Sequence, residues 1–565
     1  MWATWCGVSA PGAEGWPIRP GLTALPAGPV VLILPVRPQR SDWQLAWAGV
    51  LVCLAGCTGC GSLPTIVPDL ALKRGTVVPM QGARGPLSAA QSQAVLARLA
   101  RDSPETSIFD RHLALEQAIV GSPLTTGNRV LLLQDGPATY RAMLAAIAGA
   151  RDHINMETYI LEDDAVGQHF AQVLIDKQRQ GVQVNLMVDS VGTIGTPAAF
   201  FQRLIDNGVQ VLEFNPINPL AARADWALNQ RDHRKLLVVD GRIAFLGGIN
   251  ISSVYSGSSF GGSHGSSHGG SKGRSQGGKF GGNFSGSAGG ASGGVSGGAS
   301  GLAGRPVANV QPPALAASGP APADSAAEPA EVDLDSLAWR DTDLQLQGPA
   351  VGELQKLFLA AWAQQLGPTL AAKDYFPAPQ AVGQQVVRVV GSSPEEPFSQ
   401  IYATLLSAIG SAETSVNITN AYFAPDPQLL AALQTAARRG VRVTLILPGR
   451  TDSGLVFHVG RGYYTELLQA GVRIFERRGV ILHAKTALID GVWATVGSTN
   501  LDWRSFLHNH ELNAVVLGAD FGVQVQAMFD RDLGASDEVL LPVWNKRPLT
   551  LRAKELLARI WAYWL

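Results

Sequence analysis

Two stretches of the chain spell out one pattern, and this duplication restricts the fold more than any other feature. The run Val130-Leu131-Leu132-Leu133, a helical stretch and AIAGARDHINMETYI correspond to Val386-Val387-Arg388-Val389-Val390, a helical stretch and AIGSAETSVNITNAYF. Next, KQRQGVQVNLMVDS (177–190) corresponds to AARRGVRVTLILPG (436–449), and LIDNGVQVLEF (204–214) to LLQAGVRIFE (467–476). Gly181 to Gly440 is 259 residues and Gly208 to Gly471 is 263, so the register is nearly constant. Each unit reads as a helix closed by Gly and followed by a β-branched run. Gly there fits a left-handed helix cap, and the run fits a strand buried on both faces. The alternation predicts an α/β sandwich with a parallel or mixed sheet, and two copies predict one pseudo-two-fold molecule.

The first copy is interrupted. Residues 256–304 are nearly all Gly and Ser and 305–330 are rich in Ala and Pro, too little apolar surface to fold. The insert carries Lys272, Arg274, Lys279 and Arg305 with no acid before Asp324. It reads as a flexible surface insert, contact with a membrane surface being the alternative. The four cysteines, Cys6, Cys53, Cys57 and Cys60, all precede the repeats, which excludes a disulfide framework or cysteine chemistry from the folded body. Leu45–Gly56 is an apolar run of 12 residues. A spanning helix needs about 20, so the run suits the h-region of a signal peptide, with Arg37 and Arg40 just upstream. It ends in Leu54-Ala55-Gly56-Cys57, which resembles the bacterial lipoprotein cleavage box and implies lipidation at Cys57. Residues 1–35 read as sequence ahead of a start near Val36.

Each repeat also carries one short motif. His233-Arg234-Lys235-Leu236-Leu237-Val238-Val239-Asp240 runs on to Gly247-Gly248-Ile249-Asn250, and His483-Ala484-Lys485-Thr486-Ala487-Leu488-Ile489-Asp490 to Gly497-Ser498-Thr499-Asn500. Both are H-x-K-x4-D with an Asn 17 residues after the His. In a strand, His and Lys at i and i+2 project to one face. An imidazole and an ammonium in one cleft suit a phosphodiester: Lys and Asn hold non-bridging oxygens while His attacks phosphorus or moves protons.

With these motifs the chain resembles the phospholipase D superfamily, and within it the bacterial cardiolipin synthase group, over roughly residues 125–545. The finer resemblance rests on Glu157-Thr158-Tyr159-Ile160, Trp339-Arg340-Asp341-Thr342-Asp343 with Gly348-Pro349, Tyr422-Phe423-Ala424-Pro425, and Leu482-His483-Ala484-Lys485 running to Ser498-Thr499-Asn500-Leu501-Asp502-Trp503-Arg504-Ser505. It implies two α/β/α sandwich repeats with the active site between them and a metal-independent reaction without cofactors through a phosphohistidine. His233 would be the nucleophile and His483 the general acid and base, with the reverse assignment open. Lys235, Lys485, Asp240 and Asp490 complete the catalytic motifs, the aspartates as buttresses. Asn250 and Asn500 would bind the substrate phosphate. Glu511 would orient one imidazole, and Asp341 or Asp343 the other.

The activity implied is phosphatidyl transfer to phosphatidylglycerol, giving cardiolipin, with phosphatidylethanolamine as a second donor. Hydrolysis and phosphatidylserine synthesis are the alternatives within the superfamily, a nuclease the alternative outside lipid chemistry. Lys+Arg 44 against Asp+Glu 45 excludes a globally basic nucleic-acid binder. A local excess of Lys and Arg over residues 431–510 suits an anionic membrane as well as nucleic acid. The partners expected are therefore phospholipids and a membrane surface, with no nucleic acid, and the enzyme would act as a monomer, lipid-anchored in a bacterial envelope.

The expected organisation is a leader (1–57), a helical linker (58–124), a first repeat domain (125–380) with the insert 256–330, a second (381–545), and an amphipathic helix (546–565). On that helix Leu549, Ala553, Leu556, Leu557, Ile560, Trp561 and Trp564 form an apolar stripe. Packing of the stripe on the sandwich is expected, the membrane interface being the alternative. His153, His169, His458 and His508 read as structural or solvated, and Asp163-Asp164 as a solvated loop. No His, Cys and Asp spacing suggests a zinc or iron site.

Overall fold

Glycine closes the repeated helices where the pattern demands it. In the computed structural model Gly181, Gly208, Gly440 and Gly471 all have φ between 85° and 95°. In each case the next residue is Val, whose N–H bonds back to the carbonyl five residues earlier: Val182 to Lys177, Val209 to Leu204, Val441 to Ala436 and Val472 to Leu467. This is the Schellman closure, and the four valines are buried as its apolar anchor. The structure describes residues 78–218, 227, 229–257 and 337–565, all within the compact unit Thr65–Leu565. The leader with Cys57 and the insert 258–330 lie outside the described residues.

The first half supplies strands β1 (Leu124–Gln134), β2 (His153–Thr158), β3 (Gln183–Asp189), β4 (Gln210–Phe214), β5 (Leu236–Val239), β6 (Ile243–Gly247) and β7 (Thr342–Gln347). The second supplies β8 (Gln385–Ser392), β9 (Ser415–Asn420), β10 (Arg442–Pro448), β11 (Arg473–Arg477), β12 (Lys485–Ile489), β13 (Trp493–Gly497) and β14 (Asn509–Leu517). Strands β2, β3 and β4 pair in parallel, and so do β9, β10 and β11. In the first half β2 continues antiparallel through β5, β6 and β7 to β1. In the second, β9 continues in the same way through β12, β13 and β14 to β8. Antiparallel pairing of β1 with β8 joins the two, so the pseudo-two-fold lies at that seam.

Helices cover both faces. The helices α1 (Asp135–Gly149), α2 (Ala165–Arg179) and α3 (Ala198–Asp206) pack a core of the first half around Ile154, Leu186 and Phe245. On the opposite face α4 (Ala350–Gln364) and α5 (Ala519–Gly534) enclose one apolar cluster containing Leu346 and Phe358 of the first half and Val516 and Met528 of the second. The two halves thus share a core rather than meeting as separate domains.

In both halves the final Asp of the motif opens a turn. Asp240 and Gly241 have φ of 51° and 59°, and Asp490 and Gly491 have 50° and 68°. Two positive φ values in an Asp-Gly pair fit a type I′ turn, which returns the next antiparallel strand. The Asp240 carboxylate also accepts the backbone N–H groups of Arg151, Asp152 and His153 at 2.8–3.0 Å. Asp490 accepts those of Glu413, Thr414 and Ser415, and the hydroxyl of Thr106.

The described ends of the insert adjoin: a methyl group on Gly257 would come within 2.8 Å of the Ala338 Cβ. Excising 258–330 with a short linker therefore needs no rearrangement of the sheet. Each halving of a loop lowers its closure cost by about 0.6 kcal/mol. The shortened protein should stay soluble, with its unfolding free energy in urea unchanged or raised by up to about 2 kcal/mol. A loss of stability would mean that the insert packs on the core.

Candidate active site

Two short strand pairings bring the motifs together. Arg231–Asp232, just before His233, pairs in parallel with Asn509–His510 at the start of β14, and His233 N–H bonds to the His510 carbonyl at 3.0 Å. Reciprocally, Ile481–Leu482 pairs with Trp339–Arg340, and His483 N–H bonds to the Arg340 carbonyl at 2.8 Å. Each imidazole thereby meets an acid of the other half. His233 Nδ1 lies 3.0 and 3.1 Å from the Glu511 oxygens, and His483 Nδ1 lies 2.6 Å from Asp341 Oδ2. An ionised carboxylate only accepts, so Nδ1 carries the proton and Nε2 keeps its lone pair.

Of the two candidate acids near His483, the structure brings Asp341 to the ring. Asp343 points elsewhere: its Oδ1 accepts the Ile249 N–H at 3.1 Å, and its Oδ2 has no hydrogen-bond partner among the described residues. Burial, reinforced by the Asp341 charge, pushes the Asp343 carboxyl well above the carboxylate range. Its neutral form is favoured, and its contact with Ile249 keeps it from orienting His483. Glu511 behaves oppositely. Burial pushes it up, but His233, Lys235 and the Ser498 hydroxyl pull it down to about 2.

Lys235 and Lys485 are both buried, and each Nζ donates to the carbonyl of its own motif's His, at 2.6 Å for Lys235. Burial lowers Lys235 to about 7, Glu511 opposing and Lys485 adding to the effect. Burial likewise lowers Lys485 to about 8. The imidazoles follow: burial and then Lys485 bring His483 down to about 4, and burial lowers His233 despite Glu511. Burial thus favours neutral imidazoles and weakly held ammonium protons. The site is poised for an anion.

Four aromatic rings that sequence reasoning did not assign to the site surround the imidazoles. Tyr159 stands edge-on to His233 at 5.1 Å, with Lys235 Nζ over its ring. Around His483 stand Trp339 at 5.1 Å, Tyr255 at 5.9 Å and Tyr422 at 6.0 Å. Tyr255 Oη is also 3.3 Å from His483 Nδ1. Trp339 and Tyr255 flank the insert; Trp339 opens the motif that carries Asp341, while no local pattern marks Tyr255. Tyr159 and Tyr422 follow the same strand of each repeat but stand one residue out of register, Tyr422 matching Ile160, so each reaches its imidazole from a different place in the pattern.

The two asparagines differ. Asn250 is engaged at both ends, its Oδ1 accepting the Ile160 N–H and its Nδ2 donating to Tyr255 Oη. It fixes Tyr255 instead of waiting for a phosphate. Asn500 is buried with an Oδ1 that has no hydrogen-bond partner among the described residues. Asp240 and Asp490 lie at the far end of their strands, on the order of 15 Å along the chain from the motif Lys. They anchor backbone and do not reach the site. Asp164 caps α2 by accepting the N–H groups of Val166 and Gly167 and is thus a structural group rather than a solvated loop carboxylate. His153 is buried between Asp152 and Gln355. Part of the basic stretch 431–510 is paired with acids: Arg461 with Glu476, Arg473 with Glu538, Arg477 with Asp532 and Arg478 with Asp537.

The lysine values set a pH dependence. Each ammonium is present below its pKa and lost above it, so kcat/KM, which reports the free enzyme, should fall as pH rises through 7–8. Bound anion restores the charge, so kcat should fall only at higher pH. A kcat/KM that stays flat to about pH 9 would show the lysines to be charged in the empty site.

The chain is similar to several known proteins. A family model described as "Cardiolipin synthase, PLD-like domain" matches residues 143–256 and 405–533, one segment in each half. The cardiolipin synthase of Geobacillus sp. (strain WCH70) is 30% identical over 454 residues, 79% of this chain and 74% of that protein. Cardiolipin synthase 2 of Bacillus anthracis is 30% identical over 433 residues, 76% of this chain and 69% of that protein. Among solved structures, phosphatidylserine synthase of Haemophilus influenzae Rd KW20 aligns with a TM-score of 0.49 at 12% identity, covering 80% of this chain and 99% of that one. With a duplicated motif, a duplicated fold and relatives matched over most of their length, the chain belongs to the cardiolipin synthase family of phospholipase D-like proteins.

Proposed function

We propose that the protein is a phosphatidyltransferase that makes cardiolipin from two molecules of phosphatidylglycerol through a phosphohistidine. The observation that carries this reading is the crossed pair of imidazoles, each fixed at Nδ1 by an acid of the opposite half and flanked by a buried lysine. His233 Nε2 attacks phosphorus, and the bond from phosphorus to the glycerol headgroup breaks. The phosphodiester's negative charge favours protonation of His483, which gives its Nε2 proton to the departing alkoxide. Glycerol leaves. His483 then takes the proton of the hydroxyl of a second phosphatidylglycerol, whose oxygen attacks phosphorus and releases His233. Lys235, Lys485 and Asn500 hold the non-bridging oxygens throughout. The site lies at a bacterial membrane, and Cys57 is the lipid anchor.

His233→Ala and His483→Ala should each abolish conversion of labelled phosphatidylglycerol to cardiolipin, and the double variant should be little worse than either. Phosphate retained on His483→Ala but not on His233→Ala supports the roles given, and the reverse pattern exchanges them. Conversion should continue in excess EDTA. Loss of activity that a divalent ion restores would overturn the mechanism.

A further inference from the structure

The last helix of the sequence is built the wrong way round for a helix that packs on a core. It spans Leu549–Ala558, here α6, and continues as a 3₁₀ segment, Arg559–Trp564. Two stripes run along it with the same spacing of i, i+4, i+7 and i+11. One stripe, Leu551, Glu555, Ala558 and Ala562, is buried. Its only charged member, Glu555, is paired with Arg547 at 2.8 Å and Arg461 at 3.8 Å. The other stripe is Leu549, Ala553, Leu556 and Ile560. With Leu557 and Trp561 beside it, its large apolar side chains are 56–77% exposed. The expectation that the apolar stripe packs on the sandwich is therefore corrected: Leu551, two alanines and an ion pair hold the helix down, and the other large apolar groups face outward. Such a contiguous patch marks an interaction surface.

We infer that this face, with the apolar loops at the mouth of the active site, docks the enzyme on an anionic phospholipid bilayer. The inference rests on the lipid-transfer reading above, since both reactants there reside in a bilayer. Three observations select this occupant. First, the end of the helix is tied to the segments that flank the motifs. Arg504 N–H donates to the Leu565 carbonyl at 2.8 Å, its guanidinium reaches Asn229 ahead of His233, and Trp503 stacks edge-on to Tyr563 at 5.3 Å. Second, other exposed apolar residues stand beside groups that support the imidazoles. Ile194 is two residues from Gly192, which packs on Tyr159; Val254 precedes Tyr255; and Leu455 is three residues from Asp452, which holds Tyr422 Oη at 2.8 Å. Third, the charge is complementary. From 545 to 565 the only acid is the buried Glu555, while Arg552 and Lys554 are exposed at the edges of the apolar stripe. An interfacial helix needs this combination of an outward apolar face and flanking cations. Among the described residues no helix is long and apolar enough to cross a membrane, so the contact described is with the surface.

The test uses the full chain carrying Cys57→Ala in every sample, so that acylation contributes nothing. The probes are vesicles of phosphatidylcholine alone or mixed in equal parts with phosphatidylglycerol. Leu556→Glu/Ile560→Glu should weaken binding to the mixed vesicles by about tenfold or more and slow transfer from them to match. It should leave the melting temperature, the solution mass and transfer with dispersed short-chain phosphatidylglycerol unchanged. Val523→Glu, at an equally exposed apolar position on α5, should change none of these. Arg552→Glu/Lys554→Glu should remove the preference for phosphatidylglycerol vesicles. Unchanged vesicle binding in the Leu556/Ile560 variant overturns the proposal. So does a wild-type dimer that the variant splits without losing vesicle affinity, because a second copy would then cover the face. If no sample transfers even the short-chain lipid, the functional reading fails, while the vesicle comparison still decides the surface.

Discussion

Everything at the site depends on two short parallel pairings that cross between the halves. Arg231–Asp232 beside Asn509–His510, and Ile481–Leu482 beside Trp339–Arg340, are each only two residues long. They fix which acid meets which imidazole. A half folded alone would carry a His without its acid and an acid without its His. The shared apolar cluster beneath α4 and α5 holds the two sheets in the one register that makes both pairings possible. The duplication is thus more than two copies of a domain, because the chemistry resides in what the copies exchange.

Burial then sets the electrostatics. Two ammonium groups and two carboxylates sit together with almost no exposure, an arrangement that is costly unless every charge is matched. Glu511 and Asp341 supply the matching charge, but burial still holds the lysines far below their ordinary value. An incoming phosphodiester adds a further negative charge, which favours the ammonium forms in a medium where it is weakly screened.

Much of this was legible in the sequence, for physical reasons that can be named. The glycines at 181, 208, 440 and 471 announced helix closures because other residues rarely adopt their backbone conformation, and the strands after them followed. The i and i+2 spacing of His and Lys announced a shared face. Other features were fixed by contacts distant in sequence. Two residues apart, Asp341 and Asp343 are expected on the same side of an extended segment, yet only Asp341 meets His483 and Asp343 turns to the Ile249 N–H. Tyr255 and Trp339 reach His483 from either side of the insert. Asn250 looked like the counterpart of Asn500, yet Ser505 stands five residues after Asn500 where Tyr255 stands after Asn250, so no tyrosine at that position engages Asn500 in the same way. The last helix misled because its apolar stripe and its packed stripe share one periodicity, and periodicity does not say which side faces the protein.

The central claim is that each imidazole is oriented by the acid of the opposite half. Nitrogen-15 spectra of the histidines test it directly, since they distinguish a protonated Nδ1 from a protonated Nε2. At neutral pH both His233 and His483 should carry the proton on Nδ1. Glu511→Gln should then disturb the His233 signals alone, and Asp341→Asn those of His483 alone. If Glu511→Gln moved His483 instead, or if neither substitution altered a tautomer, the crossed arrangement would be contradicted.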